Sequence, residues 1–187
     1  MFFSILCYYI VVKYLIPFNK HPRRNLPKHI SKKRTESDFV LAFGRTYHQE
    51  LSNQISEQCQ SFEIARELHI PGLGIADIVS VFTTSRKTIL HAFEMKIKDW
   101  RKAIAQAYRY KYYADAAIVV MPPGEAIKAK QSLFLFHAIN VGLWAFDAEN
   151  KVIERIYDPH KDKPISVTAY SKALTILAQH LKSLPVS

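Results

Sequence analysis

From Ser37 to Ile55, apolar residues recur three and four apart at Phe39, Val40, Phe43, Tyr47, Leu51 and Ile55. That spacing predicts an amphipathic helix capped by Ser37 or Asp38. Between Phe62 and Ile70 the period falls to two. Phe62, Ile64, Leu68 and Ile70 share one side with Arg66, while Glu63, Ala65, Glu67 and His69 take the other, as in a half-buried strand. Pro71-Gly72 and Gly74 punctuate the chain before a second strand, Ile75 to Phe82. A polar turn from Thr83 to Lys87 leads into a third strand, Thr88 to Ile97. Asp99 is placed to cap a helix running to about Ala114, and Ala116 to Met121 is wholly apolar, as a strand buried on both faces is. Beyond Pro122-Pro123-Gly124 the pattern predicts one helix from Glu125 to His137. A hairpin of Val141–Phe146 and Val152–Tyr157 follows, turning over Ala148 to Lys151. The last helix comes after Pro164, with Tyr170, Ala173, Leu177, Leu181 and Leu184 as its apolar stripe.

The predicted order, α-β-β-β-α-β-α-β-β-α, contains no internal repeat. Strand, helix, strand from Thr88 to Met121 makes a parallel crossover, whereas the hairpins are antiparallel, so the class is α/β with a mixed sheet.

Size and charge narrow this picture. The 187 residues suffice for one α/β core and are too few for two ordinary domains. An apolar fraction of 49% with 22% charged residues is that of a globular chain. The net charge of +10 is uneven: residues 1–36 hold eight Lys/Arg against Glu36 alone, a net of +7, and the other 151 residues a net of +3. Residues 1–36 therefore read as an apolar and basic leader outside the core, with the domain at 37–187; His21 to Arg34 has the composition of a Pro- and Lys/Arg-rich linker. Met1 to Phe18 is apolar but broken by Lys13. It lacks the basic start and small-residue cleavage site of a secretory signal, and a membrane span would want about 20 residues without a central charge. Membrane contact is expected only if residues 1–18 insert, in which case the basic block behind them would keep the body cytoplasmic. Cys7 and Cys59 show neither metal-ligand nor disulfide spacing, so the expectation is a reducing, cytoplasmic setting.

Candidate chemistry lies in the hairpin from Ile75 to Ile97. With its turn centred between Ser85 and Arg86, paired residues sum to 171 and Asp77 falls across from Glu94. Period-two alternation then points Glu94 and Lys96 to one face, and Phe93, Met95 and Ile97 to the other. Two opposed carboxylates in an apolar hairpin repel unless a cation sits between them, and hard oxygen donors suit Mg²⁺ or Mn²⁺. Lys96 is placed to hold a water or a phosphate beside that metal. Lys98-Asp99-Trp100-Arg101-Lys102 opens a helix whose first amides attract phosphate. Within it Gln106 shares the face of Ala103, Ala107 and Tyr110, which packs toward the sheet. Arg101, Lys102, Arg109 and Lys111 are left for a phosphate backbone.

Taken together, Gly74-Ile75-Ala76-Asp77-Ile78-Val79, then Phe93-Glu94-Met95-Lys96, then Gln106-Ala107-x-x-Tyr110 resembles the PD-(D/E)xK nuclease superfamily, over about residues 37–157. Ala76 stands where the proline of the name would be. The resemblance implies a restriction-endonuclease-like core, three-layer α/β/α around a central mixed β-sheet, and Mg²⁺-dependent hydrolysis of DNA (or RNA) to a 5′-phosphate and a 3′-hydroxyl. It implies that Asp77, Glu94 and the Met95 backbone carbonyl bind the metal. Lys96 would orient or deprotonate the attacking water, and Glu50 on the first helix would reach a second metal or its water, with Glu57 a poorer match. Gln106 would hold Lys96 or a phosphate, and Tyr110 would buttress the site and join Lys98, Arg101, Lys102 and Arg109 at the nucleic acid. Cutting both strands takes two sites, which makes a homodimer an expected partner state.

Each piece alone has a plainer explanation. Glu-x-Lys on a strand usually marks a solvated face; Trp100 and Trp144 fit a core; and the eight histidines include no HExxH or HxH pair. His137-x-x-Asn140 with Asp158-Pro159-His160 lacks the ββα setting of a His-Asn-His nuclease. The alternative in another class is a non-catalytic nucleic-acid-binding or assembly module of the same fold.

Overall fold

The computed structural model describes residues 35–54, 59–84, 87–160 and 162–182. The leader up to Arg34, Ser85 and Arg86 at the centre of the expected turn, and Ile55, Glu57 and Leu184 lie outside them.

The elements, in chain order, are α1 (Glu36–Gln54), β1 (Cys59–Ile70), β2 (Gly74–Thr84), β3 (Thr88–Met95), α2 (Trp100–Tyr110), β4 (Ala116–Met121), α3 (Pro123–Lys130), α4 (Leu133–Ile139), β5 (Gly142–Asp147), β6 (Val152–Tyr157) and α5 (Val167–Lys182). The six strands form one sheet in sequence order. β1, β2 and β3 pair antiparallel, β3, β4 and β5 parallel, and β6 returns antiparallel. All six residues of β4, at the centre, are buried, as its unbroken apolar run requires.

Each sheet face carries its own apolar cluster. Phe39, Val40, Phe43 and Tyr47 of α1 pack on Ile78, Phe93, Met95, Ile118, Val120, Trp144 and Phe146. Val79, Leu90, Ala92, Val119 and Leu143 point the other way. They meet Ala103, Ala107 and Tyr110 of α2, Ala126 of α3, Phe136 of α4, and Ala173 and Leu177 of α5. Helix, sheet, helices make a three-layer α/β/α fold with a mixed sheet.

Three local expectations need correction. The helix expected from Glu125 to His137 is two, broken at Gln131 and Ser132. The first helix starts one turn early: the Thr35 hydroxyl accepts from the Asp38 amide at 3.2 Å while Asp38 accepts from the Thr35 amide at 3.2 Å. This reciprocal box makes Thr35 the cap and brings Glu36 into the helix. On β1, Phe62 and Ile64 face α1, but Leu68 and Ile70 join Ala65 in the opposite cluster. The switch falls at Glu67, which has a left-handed φ of 53° and is missing from the β1–β2 ladder between Arg66↔Ile78 and Leu68↔Ala76.

Candidate active site

The β2–β3 ladder runs in the expected register from Thr83↔Thr88 to Ile78↔Phe93. There it stops. Asp77 is the next residue beyond the last rung, and its Oδ2 takes the hydrogen bond of the Met95 amide at 2.7 Å in place of a backbone carbonyl. On its far side Asp77 faces Glu67, the gap in the β1 ladder, so neither neighbour of β2 pairs regularly here. The sheet opens around one carboxylate.

Glu94 is 1% exposed and points to the α2 side, away from Phe93 and Met95, as alternation requires. Tyr110, fully buried on α2, touches a Glu94 carboxyl oxygen and donates to the Ile75 carbonyl at 2.6 Å. One hydroxyl proton cannot serve two acceptors at once. When it goes to Ile75, a protonated Glu94 can donate to the Tyr110 oxygen instead. Burial, with the Asp77 charge adding to it, pushes the Glu94 carboxyl up to about 7 against the pull of Tyr110 and Lys96. Burial likewise raises Asp77, opposed by the Met95 amide and Lys96.

Lys96 joins the group from just past β3, its amide held by the Val120 carbonyl at 3.1 Å. Its ammonium lies 2.5 Å from Glu36 and 3.4 Å from Glu94. Burial works against that charge, but Glu36, Glu94 and Asp77 outweigh it and hold Lys96 above its ordinary value. Arg66, with a side chain 12% exposed, stands near enough to Asp77 to feel its charge, beside Glu67 at 3.5 Å.

Asp77, Glu94 and Lys96 are thus brought together, but the α1 carboxylate that lies beside them is Glu36 and not Glu50. Glu50 binds Arg155 at 3.0 Å and lies fourteen residues along α1 from Glu36, about 21 Å at the helical rise. Glu36 was legible as the residue after Thr35 in a Thr-x-x-Asp box, the N1 position of a helix. Arg66 carried its own signal, a charge in the apolar register of β1.

Tyr110 is the second correction. Complete burial against Glu94 removes it from any contact with nucleic acid. Gln106 lies one turn before it on the same side of α2, half-buried, with its Oε1 shut off from solvent and accepting no hydrogen bond. Lys98, Arg101, Lys102 and Arg109 are exposed, and Arg109 reaches over Gly74 at the start of β2, 3.9 Å from where a Cβ would stand. Asp99 caps α2 as expected, accepting from the Lys102 amide at 3.2 Å.

The His137–Asn140–His160 group is a staple. Asn140 accepts from the Tyr157 hydroxyl and the His160 amide and donates to Asp162, tying the chain after β6 to the end of α4.

Among the described residues, no three His, Cys, Asp or Glu side chains converge closely enough to hold a metal ion by themselves. No described helix is long and apolar enough to cross a membrane. No family model matches the chain, and no curated protein matches it.

Proposed function

We propose that the chain is a divalent-metal-dependent nuclease of the PD-(D/E)xK type that hydrolyses DNA phosphodiester bonds. The observation that carries this proposal is a Glu94 buried to 1% exposure that feels the charge of Asp77, which bonds the Met95 amide just past the end of the β2–β3 ladder. A fold gains nothing from a buried carboxyl whose proton affinity is raised by burial and by a second carboxylate nearby; a cation between them relieves both desolvation and repulsion. The donor set fits a hard ion: Asp77, Glu94 and the Met95 carbonyl are all oxygen, and Mg²⁺ (or Mn²⁺) keeps water in its remaining positions. When bound, that ion supplies Lewis acidity and an activated water.

The chain's own groups divide the remaining work. Lys96 is held as an ammonium by three carboxylates. That supports neutralising charge on the phosphate and steering water, in preference to taking a proton. Glu36 holds Lys96 when substrate is absent, and is free to bind water when the phosphate takes its place. Tyr110 fixes the orientation of Glu94 from behind. The exposed Lys98, Arg101, Lys102 and Arg109 add phosphate contacts along the approach.

The test incubates the protein with plasmid, junction, single-stranded and RNA substrates in Mg²⁺, Mn²⁺ or EDTA. Nicked or cut DNA bearing 5′-phosphates, formed with metal and absent with EDTA, is expected. Binding without cleavage of any substrate would leave a nucleic-acid-binding module, and the nuclease would be wrong.

A further inference from the structure

The outer face of α2 and the turn that leaves it bear two exposed tyrosines that the proposed chemistry does not use. Tyr108, 40% exposed, stands on the side of α2 opposite the buried Ala103, Ala107 and Tyr110, and Tyr112, 38% exposed, follows in the turn that leaves the helix, its amide bonded to the Arg109 carbonyl at 3.3 Å. Arg101 lies two turns before Tyr108 on the same stripe, and Lys102 and Arg109 run beside it; all three are exposed. From Trp100 to Ala114 the sequence contains no acid. The Arg101 guanidinium carbon lies over the Trp100 ring, 4.4 Å from its centroid, which holds the charge near the start of α2 while its N–H donors can meet an anion.

We propose that this face binds single-stranded nucleic acid, with Tyr108 and Tyr112 stacking on unpaired bases and Arg101, Lys102 and Arg109 holding the adjoining phosphates. Flat apolar rings on a cationic surface match the two components of an unpaired strand, base faces and phosphates. A duplex offers the phosphates but keeps its base faces stacked. Arg109, over Gly74, joins this face to the strand that carries Asp77, so a strand crossing α2 is led toward the carboxylates. This inference rests on the nucleic-acid reading above and narrows its substrate to one with an unpaired segment.

The experiment measures binding of full-length protein to a labelled oligothymidylate, and to a duplex of the same length, by fluorescence anisotropy in EDTA. Exchanging Tyr108→Ala or Tyr112→Ala is expected to weaken oligothymidylate binding about tenfold each, with duplex binding changed less than about twofold. Tyr108→Phe and Tyr112→Phe keep the ring and should bind as wild type. Equal losses on both ligands, a Phe variant as weak as Ala, or no preference for the single strand would overturn the proposal, as would binding only to an acidic peptide or to a second copy of the chain. EDTA keeps cleavage out of the measurement. A protein that binds the single strand as described yet never cuts with Mg²⁺ would sink the nuclease and leave the platform standing.

Discussion

Glu94 concentrates the electrostatics of the site in one carboxyl group. Its proton affinity is raised in the fold to about 7 from an ordinary 4.5, chiefly by burial. The folded protein therefore binds this proton more tightly than the unfolded chain does. The stability it contributes is complete below about pH 4.5 and is lost as pH rises through about 7, where the buried anion must be carried. Glu94→Gln removes that dependence. In EDTA the wild type and Glu94→Gln should draw apart between pH 4.5 and 7, the variant gaining about 2–3 kcal/mol relative to the wild type. Mg²⁺ should close the gap by stabilising the wild type alone. Thermal unfolding across pH reads it directly, and a constant difference between the two proteins would mean that Glu94 carries no perturbed proton. The residues of this site were unequally legible. Asp77, Glu94 and Lys96 follow from strand alternation and a register centred between Ser85 and Arg86, both local rules. Glu36 contacts Lys96 across sixty residues of sequence, and a helix read from Ser37 onward left it in the leader and offered Glu50 instead. The Thr35–Asp38 capping box is the local signal that brings Glu36 into the helix.

At the scale of elements, two backbone devices shape the opening. Glu67 sits at a φ of 53° in mid-strand, opposite Asp77, where β1 changes which face it buries. A residue with a Cβ is strained there, so Glu67→Gly should leave the ladder intact and raise stability by about 1 kcal/mol in chemical denaturation. A loss of similar size would mean that the Glu67 side chain, exposed and 3.5 Å from Arg66, holds the turn of the strand. Asp99, also left-handed at 59°, closes the N-terminus of α2 next to Lys96. Most elements could be read in advance because their apolar spacing matches the layer they pack on. The break after Lys130 and the face switch at Glu67 could not. The first depends on how α3 and α4 each find the sheet, and the second on a left-handed residue that is not glycine.

Across the whole molecule, the domain boundary drawn from charge and the one drawn from contacts differ by two residues. Composition ends the leader at Glu36, yet Glu36 belongs to α1 and grips Lys96. A chain starting at Thr35 should cut at the full-length rate per bound substrate, while binding more weakly and with a flatter salt dependence, since all eight Lys/Arg of the leader are gone. A chain starting at Ser37 should lose most of its turnover as well. Equal turnover in the two truncations, measured at saturating substrate, would remove Glu36 from the chemistry.

On the proposed function, Asp77 and Glu94 hold a metal used to cut nucleic acid. Its most direct test is cleavage and binding measured side by side for the wild type, Asp77→Ala and Glu94→Ala, in Mg²⁺. Both variants should lose cleavage while binding DNA as tightly as the wild type or tighter, because each removes a negative charge from the path of the phosphates. Lys96→Ala should lose cleavage and bind slightly more weakly. Cleavage that survives either carboxylate substitution in a folded protein would contradict the account.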